Sequence, residues 1–446
     1  MRLALSYWHG PGNLGDLAIL RAQIALLRQA DPDIQIDLIA VDSRSAQSAA
    51  AMADVSFESI LILPWQGIYS GRLEWLLGAA KATLALVAPD YLSFGTDVRV
   101  LRDLLRKVDA FMPKGGGYLY ALGGPRGLLF TARIAWPLLL ARRLGVRRIL
   151  WGHSIGPCDG WLGSLLLKTA LRGAEMTVRD HASLKLLTKW GIPAQILPDL
   201  AFQLVTEDTK PYEACRGSAI RRIGLTARNM GRGKSGQQEY EKQLRVGLNG
   251  LIAKIRRDEG VDVEVVAIVQ VAGQLEHTND GHVLSRILSR LDCKSRLVTP
   301  GGGGIPTMSE LLNAYAELDL LVATRMHSAI LASCAGRPFV VIEYIGGKAR
   351  GIVDALGLPD WVYLTDLRDL SEILVRAWEG RSALEDCVKA GGLNAQRSLR
   401  RLVNELREPV SSHSVERRST ASSQQLSAQS TAGIKQEPPV LVALPR

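Results

Sequence analysis

Short apolar segments that end in glycine or polar residues, each followed by a segment with helical periodicity, recur along most of this chain. The first such unit has a strand predicted at 3–7, a glycine-rich turn at 10–15 and a helical pattern at 16–29. Repeated units of strand, turn and helix are typical of parallel, doubly wound sheets. The pattern therefore predicts an α/β fold of Rossmann type.

The predicted strands form two series. The first series continues at 35–40, 110–112, 148–151 and 175–178, and the second has strands at 222–226, 263–269, 320–323 and 339–343. A chain of 446 residues is too long for one ordinary core. The polar segment 206–218 is the natural hinge. We therefore expect a Rossmann-like domain at 1–205, a second at 219–408 and a disordered, low-complexity tail at 409–446.

The net charge of +10 and the isoelectric point near 9.4 favour anionic partners. A phosphorylated substrate, an anionic membrane surface and nucleic acid all fit the sign of this charge. The arginine clusters, such as Arg142 and Arg143, lie beside apolar runs and lack the interleaved aromatic residues on which bases stack. We therefore expect no nucleic-acid partner.

The cysteines and the N-terminus bear on the compartment. The five cysteines are odd in number and widely spaced, and they form no CxxC pair, so neither a disulfide framework nor a zinc site is indicated. The N-terminus lacks the long apolar stretch of a secretory signal. We expect a cytoplasmic protein without a bound metal.

Two stretches, 76–94 and 127–144, are apolar enough to test against a membrane. Both are interrupted by charged residues, and neither offers the ~20 uninterrupted apolar residues that a span requires. Buried or amphipathic helices are the simpler interpretation. Peripheral contact with the inner face of the cell membrane stays open as an alternative.

The candidate site residues of the first half follow predicted strands. The GNLGD segment places Asn13, Gly15 and Asp16 where backbone N–H groups can hold an anion, although Asp16 can also be a plain helix N-cap. This segment is not GxGxxG, so no dinucleotide is implied. Glycines after a strand allow close approach of a ligand or of another backbone segment. Three such glycines are Gly115, Gly116 and Gly117.

Further polar residues follow the next two strands of this half. GHSIGP contains His153 and Ser154, but it lacks the GxSxG pattern of a nucleophile elbow. Arg179 follows the strand after that, where an arginine next to an aspartate is often a surface ion pair.

The sharpest local signal lies in the second half, in the segment TRMHSAILA. Arg325 and His327 follow an apolar strand and begin an apolar helix, so an anion-binding guanidinium and a titratable imidazole lie two residues apart. A histidine packed in the core is the alternative. Farther on, Lys348 lies in a glycine-containing loop where it could meet an anion, or it could be an ordinary solvated lysine.

Taken together, GNLGD, GGGY, GHSIGP, VRD, PDLAF, TRMHSAILA and EYIGGKARG resemble the polysaccharide pyruvyl transferase family in content and order. The resemblance covers roughly residues 1–400. It implies a GT-B-like fold, in which two Rossmann-type domains face each other across a cleft. It also implies transfer of pyruvate from phosphoenolpyruvate to two hydroxyls of a sugar, with formation of a ketal and release of phosphate.

The resemblance also implies roles for individual residues. Arg179, Arg325 and His327 match positions associated with phosphoenolpyruvate binding and catalysis, and Met326 would lie beside the substrate through its backbone. Arginine suits the carboxylate and phosphate of this donor, and histidine can supply a proton. The extra glycines before Lys348 depart from many relatives. Asp16 and His153 are both candidates for the general base, and the sequence does not rank them.

We expect phosphoenolpyruvate to be the donor substrate, with no cofactor, and the acceptor to be a sugar of an exopolysaccharide or cell-wall glycan, free or lipid-linked. Two alternatives stay open at this point. The same architecture could serve a nucleotide-sugar glycosyltransferase, or the chain could be a non-catalytic polysaccharide-assembly protein.

Overall fold

The computed structural model describes residues 1–52, 54–63, 96–205, 220–231, 233–272, 279–343 and 347–407. The predicted hinge at 206–218, the apolar stretch at 76–94 and the tail at 409–446 lie outside these ranges. The stretch at 127–144 falls almost wholly within one helix, Gly124–Arg143. None of the helices in the described ranges has the length and apolarity needed to cross a bilayer.

The first half is a parallel sheet with helices packed against it. Its strands follow the order β3-β2-β1-β4-β6-β7-β8, and β5 pairs with β6 beside this path. The strands are β1 (Arg2–Trp8), β2 (Gln35–Ala40), β3 (Ser59–Ile62), β4 (Ala110–Pro113), β5 (Gly116–Ala121), β6 (Arg147–Cys158), β7 (Glu175–Val178) and β8 (Gln195–Ile196). The helices are α1 (Leu14–Ala30), α2 (Ser43–Ala50), α3 (Thr96–Leu105), α4 (Gly124–Arg143), α5 (Trp161–Leu171) and α6 (His181–Trp190).

The second half repeats this plan. Its parallel sheet has the order β11-β10-β9-β12-β13-β14. The strands are β9 (Ile220–Thr226), β10 (Asp262–Ile268), β11 (Lys294–Val298), β12 (Leu320–Ala323), β13 (Phe339–Ile342) and β14 (Tyr363–Leu364). The helices are α7 (Gly233–Glu259), α8 (Asp280–Leu288), α9 (Met308–Ala316), α10 (Met326–Cys334), α11 (Arg350–Leu356), α12 (Leu370–Glu379) and α13 (Arg381–Arg407).

The prediction of two parallel, doubly wound sheets is confirmed. The strand order reverses direction between β1 and β4 in the first sheet and between β9 and β12 in the second. Ligands of such sheets bind at the carboxyl ends of the strands, where the order reverses. The central strands β12 and β13 are apolar and buried along their whole length, as parallel strands covered on both faces must be.

Two glycine-containing segments differ from the prediction. Residues 115–117 and 152–157 were both expected to follow a strand, but Gly116 begins β5, and β6 runs through to Cys158. The reason is that the two segments pair with each other in parallel, with Gly116 opposite His153. Their backbone groups are therefore satisfied by strand pairing, which local sequence does not reveal.

The two halves share one apolar core. Buried side chains of both sheets belong to a single continuous cluster. The 3-10 turn Leu200–Leu204 of the first half lies against α1 and against α10 and α13 of the second half. Cys334 of α10 donates its thiol to the carbonyl of Ala201. Helix α10 is therefore fixed relative to the first sheet.

Candidate active site

Side chains from both halves meet where the carboxyl ends of the two sheets face each other. Arg179 follows β7, Asp199 precedes the 3-10 turn Leu200–Leu204, and His327 lies in the first turn of α10. The start of α10 is anchored because the hydroxyl of Thr324 donates to the carbonyl of Thr226, at the end of β9. This buried hydrogen bond fixes the backbone from which the His327 side chain projects.

The Arg179 guanidinium is held by residues on both sides of the cleft. Its Nε donates to Oγ of Ser154 at 2.8 Å, and its Nη1 donates to the Asp199 carboxylate. Nη1 also lies 3.4 Å from Nε2 of His327. Among the described residues, Nη2 has no acceptor, so one edge of the guanidinium remains available to a ligand.

Asp199 is the buried carboxylate between these two groups. Its Oδ2 lies 3.7 Å from Nε2 of His327, and its Oδ1 accepts from the backbone N–H of Ala201 at 2.9 Å. Burial alone would raise the pKa of this carboxyl. The nearby Arg179 and His327 outweigh burial and hold the pKa of Asp199 well below its usual range. The carboxylate is therefore ionised and can orient both neighbours.

His327 packs against the start of α1. A Cβ atom at Gly15 would lie 2.8 Å from Cβ of His327 and closer still to its ring. Only glycine leaves room for the imidazole at this point. Asn13 is the N-cap of α1 and accepts from the N–H of Gly15 at 3.0 Å. The GNLGD segment thus supports the histidine from the opposite half of the molecule.

Two cationic groups converge on Gly117. A Cβ atom at this glycine would lie 3.2 Å from Nη2 of Arg179 and 3.2 Å from Nζ of Lys348. Burial and the neighbouring Arg179 lower the pKa of Lys348. A narrow pocket lies beside these two side chains. Its lining residues are Ser154, Arg179, Asp180, Asp199, Phe202, Met326, Lys348, Gly351 and Ile352. The arrangement favours an anionic ligand.

Asp16 is engaged by a buried lysine. Its Oδ1 accepts from Nζ of Lys114 at 2.6 Å, and the lysine side chain is fully buried. Burial opposes ionisation of Asp16, but the ion pair with Lys114 prevails and lowers the pKa to about 2. Such a carboxylate is a weak base. The N-cap of this helix is Asn13, so the alternative of Asp16 as a plain N-cap is wrong.

Three other candidate residues are buried beside the pocket and do not line it. His153 is fully buried, and burial followed by the charge of Arg179 lowers its pKa to about 3. Neither of its ring nitrogens has a partner among the described residues, and the ring contacts Tyr118 edge-on. Gly115 and Gly116 precede and begin β5. A Cβ atom at Gly115 would lie 2.8 Å from the carbonyl oxygen of Trp151.

Arg325 has a different environment from Arg179. Its Nε and Nη2 both donate to Asp280, at 3.1 and 2.5 Å. The same carboxylate accepts from the backbone N–H of Val271. Val271 in turn pairs with Asn13 of the first half. The Arg325 guanidinium therefore supports a contact between the halves, and it is absent from the lining of the pocket at Gly117.

The structure thus brings together Arg179, His327, Ser154, Gly117 and Lys348, while Met326 lines the same pocket. Sequence reasoning did not single out Asp199, which lies between Arg179 and His327. The available signal was its position in the PDLAF segment, after a short strand and at the start of a helical turn. Among the described residues, no cluster of three or more potential metal ligands occurs.

Solved structures place this architecture in a class. A UDP-GlcNAc 2-epimerase from Neisseria meningitidis is similar over 91% of this chain and 99% of its own, with 11% identity and a TM-score of 0.53. A sucrose-phosphate synthase from Thermosynechococcus elongatus is similar over 91% and 98%, with 13% identity and a TM-score of 0.50. The protein has the GT-B-like fold of two facing Rossmann-type domains. At these identities the likeness shows the fold alone.

Sequence comparison is more specific. The pattern that defines the polysaccharide pyruvyl transferase family matches residues 13–346, which include Arg179, Asp199 and His327. The amylovoran biosynthesis protein AmsJ of Erwinia amylovora is 27% identical over 394 residues, covering 81% of this chain and 87% of that protein. The chain belongs to the polysaccharide pyruvyl transferase family and is a transferase.

Proposed function

We propose that the protein transfers pyruvate from phosphoenolpyruvate to two hydroxyls of one sugar of an exopolysaccharide or cell-wall glycan. The observation that carries the proposal is the convergence of Arg179 Nη2 and Lys348 Nζ on Gly117, next to His327. Phosphoenolpyruvate carries a phosphate and a carboxylate, and each is a good partner for such cations. Family membership supplies the reaction class.

The proposed roles follow from the geometry. Arg179 binds one anionic group of the donor through Nη2, while Asp199 and Ser154 hold the other guanidinium nitrogens. Lys348 neutralises the second anionic group. Met326 lies beside the donor through its backbone. His327 gives a proton to the methylene carbon, which becomes a methyl group as the first sugar hydroxyl attacks the adjacent carbon.

The reaction balances without a further reactant. After the first addition, the C–O bond to phosphate breaks, and the second hydroxyl closes the ketal. One hydroxyl proton ends on the methyl group, by way of His327, and the other ends on the released phosphate. The cations stabilise the negative charge that develops on the leaving phosphate. This scheme uses no cofactor.

Of the two candidates for the general base, Asp16 is the more accessible. The ion pair of Asp16 with Lys114 weakens its carboxylate as a base, and the full burial of His153 keeps its ring from the pocket. Asp16 is partly exposed, with a quarter of its side chain accessible, so we assign it the contact with the acceptor hydroxyl.

Arg325 as a donor ligand stays a prediction.

The proposal includes a location. We propose that the protein works in the cytoplasm on a sugar carried by a membrane lipid, at the inner face of the cell membrane. The free thiols of Cys158, Cys293, Cys334 and Cys387 fit a reducing compartment.

The test is incubation with phosphoenolpyruvate and candidate glycans, both water-soluble and lipid-linked. We expect release of inorganic phosphate together with the mass increase of one pyruvyl ketal on the acceptor. Nucleotide-sugars offered in parallel should not be consumed. Consumption of a nucleotide-sugar without phosphoenolpyruvate turnover would refute the proposal in favour of glycosyl transfer.

A further inference from the structure

A group of large apolar side chains is exposed on the first half of the molecule. Trp161 is 76% exposed, Leu165 56%, Leu162 44% and Leu122 42%. We call these four residues the apolar patch. Single exposed apolar side chains are ordinary, but a contiguous group that includes a tryptophan marks an interaction surface.

The apolar patch is not a by-product of core packing. Helix α5 already buries Gly163, Leu167 and Ala170 on its inner face. Gly163 is packed so closely that a Cβ atom there would lie 3.1 Å from Cβ of Ala121. A surface helix usually places polar residues opposite its buried stripe. Here the outer face carries Trp161 and Leu165, four residues apart, so the helix is apolar on two faces.

The chain segment that carries the apolar patch is strongly basic. Residues 121–173 contain eight arginines and lysines and one acidic residue, Asp159. Arg147 is paired with Glu175, and Arg148 is largely buried. The other basic residues are Arg126, Arg133, Arg142, Arg143, Lys168 and Arg172. Arg142 reaches the far end of α5, where its Nη1 donates to the carbonyl of Thr169 at 2.6 Å.

The apolar patch lies at the same edge of the first sheet as the site. Leu122 directly follows β5, and the N–H of Gly160, just before α5, donates to the carbonyl of Ala121 at 3.0 Å. Gly117 of β5 and Ser154 of β6 contact or line the pocket. A surface that bound the apolar patch would therefore face the same side as the pocket.

We propose that the apolar patch and its basic surroundings dock the protein onto an anionic lipid bilayer. Tryptophan and leucine would enter the boundary between headgroups and acyl chains, and the arginines and lysines would meet anionic headgroups. This inference deepens the membrane location in the proposed function. Its evidence is independent of the transfer reaction, because it rests on exposure and charge outside the pocket.

The first test is cosedimentation of the full chain with vesicles of phosphatidylcholine, with and without phosphatidylglycerol. We expect binding to the anionic vesicles and at least a tenfold weaker association for the W161S/L165S double variant. The control is Val246→Ser, since Val246 is 59% exposed in α7, away from the apolar patch. Wild-type protein that ignores anionic vesicles, or a double variant that binds like wild type, would overturn the proposal.

The second test addresses the charge. Arg126→Glu should weaken binding to anionic vesicles about fivefold or more and leave binding to neutral vesicles unchanged. Lys242→Glu, at an exposed lysine of α7, is the control and should have a smaller effect. Phosphate release with a water-soluble acceptor should be the same in all variants, which separates docking from catalysis. A dimer that the W161S/L165S variant abolishes would show that a second copy covers the apolar patch, and would overturn the bilayer proposal.

Discussion

Two arginine–carboxylate pairs flank the cleft, and they differ in what they leave unpaired. Arg325 gives both Nε and Nη2 to Asp280, whereas Arg179 keeps Nη2 directed at the pocket beside Gly117. Burial raises the pKa of Asp280 against the influence of Arg325, whereas Arg179 and a hydrogen bond with His327 outweigh burial and lower the pKa of Asp199. A guanidinium near a strand end can therefore bind a ligand only through nitrogens that do not already donate to an acceptor in the protein.

The largest expected effect is at His327, which lies beside Arg179 and has no counterpart beside Arg325. His327→Ala should lower kcat about 10²- to 10⁴-fold, because the proton donor to the methylene carbon is lost. The measurement is steady-state phosphate release with phosphoenolpyruvate and acceptor. His181→Ala, at an exposed histidine of α6, is the control. Wild-type turnover in His327→Ala would show that the imidazole is not the proton donor.

Matched substitutions of the two arginines test the comparison itself. Arg179→Lys should lower kcat/KM about 10²- to 10³-fold, since a lysine cannot hold Ser154 and Asp199 while also reaching the donor. Arg325→Lys should change kcat/KM by about tenfold or less, because the Arg325 guanidinium acts only through its ion pair with Asp280. Both are measured as KM for phosphoenolpyruvate and kcat. Equal increases in KM would break the comparison and support Arg325 as the donor ligand that its sequence motif implies.

Gly15→Ala probes the contact between the halves. The added methyl group would occupy the space of the His327 ring, so the ring must shift and kcat should fall about 10²-fold. Gly12→Ala is the matched control, because a Cβ atom there would meet only the carbonyl oxygen of Ala272, at 3.9 Å. Circular dichroism should show both variants folded. An unaffected kcat in Gly15→Ala would mean that the position of the ring is not critical.

Asp199→Asn should lower kcat about tenfold, less than His327→Ala and Gly15→Ala, because Asp199 orients Arg179 and His327. Its pKa is depressed in the folded state, so it stabilises the fold above the unfolded pKa of ~3.9 and loses this contribution as pH falls through the folded value. The free energy of unfolding of Asp199→Asn should therefore fall less steeply below pH ~4 than that of wild type.

The measurement for Asp199→Asn is denaturant unfolding at several acidic pH values, together with kcat. Asp366→Asn is the control, since Asp366 is a half-exposed carboxylate paired with Arg368. If Asp199→Asn kept both the wild-type kcat and the wild-type pH dependence of stability, Asp199 would have no positioning role.

Much of the fold follows from local sequence, and less of the site does. The alternation of apolar strands and helices predicts both sheets, because each strand must be buried on two faces. The pairing of β5 with β6 was missed because it joins two glycine-containing segments that look like turns. Arg179 and His327 were proposed from their positions after strands, and the structure places their side chains 3.4 Å apart. Asp199 was missed, and Arg325 could not be separated from Arg179, because the partner carboxylate of each arginine is set by tertiary contacts.

We expect the anionic donor to bind between Arg179 and Lys348, against Gly117. Calorimetric titration of phosphoenolpyruvate into wild type and Gly117→Ala tests it directly, because the added methyl group enters the anion site without changing any charge. Gly123→Ala is the control, since nothing lies within 4 Å of a Cβ atom there. We expect saturable binding of phosphoenolpyruvate to wild type and Gly123→Ala. The affinity of Gly117→Ala for phosphoenolpyruvate should be about tenfold or more weaker. Wild-type affinity in Gly117→Ala, or no binding to wild type, would contradict it.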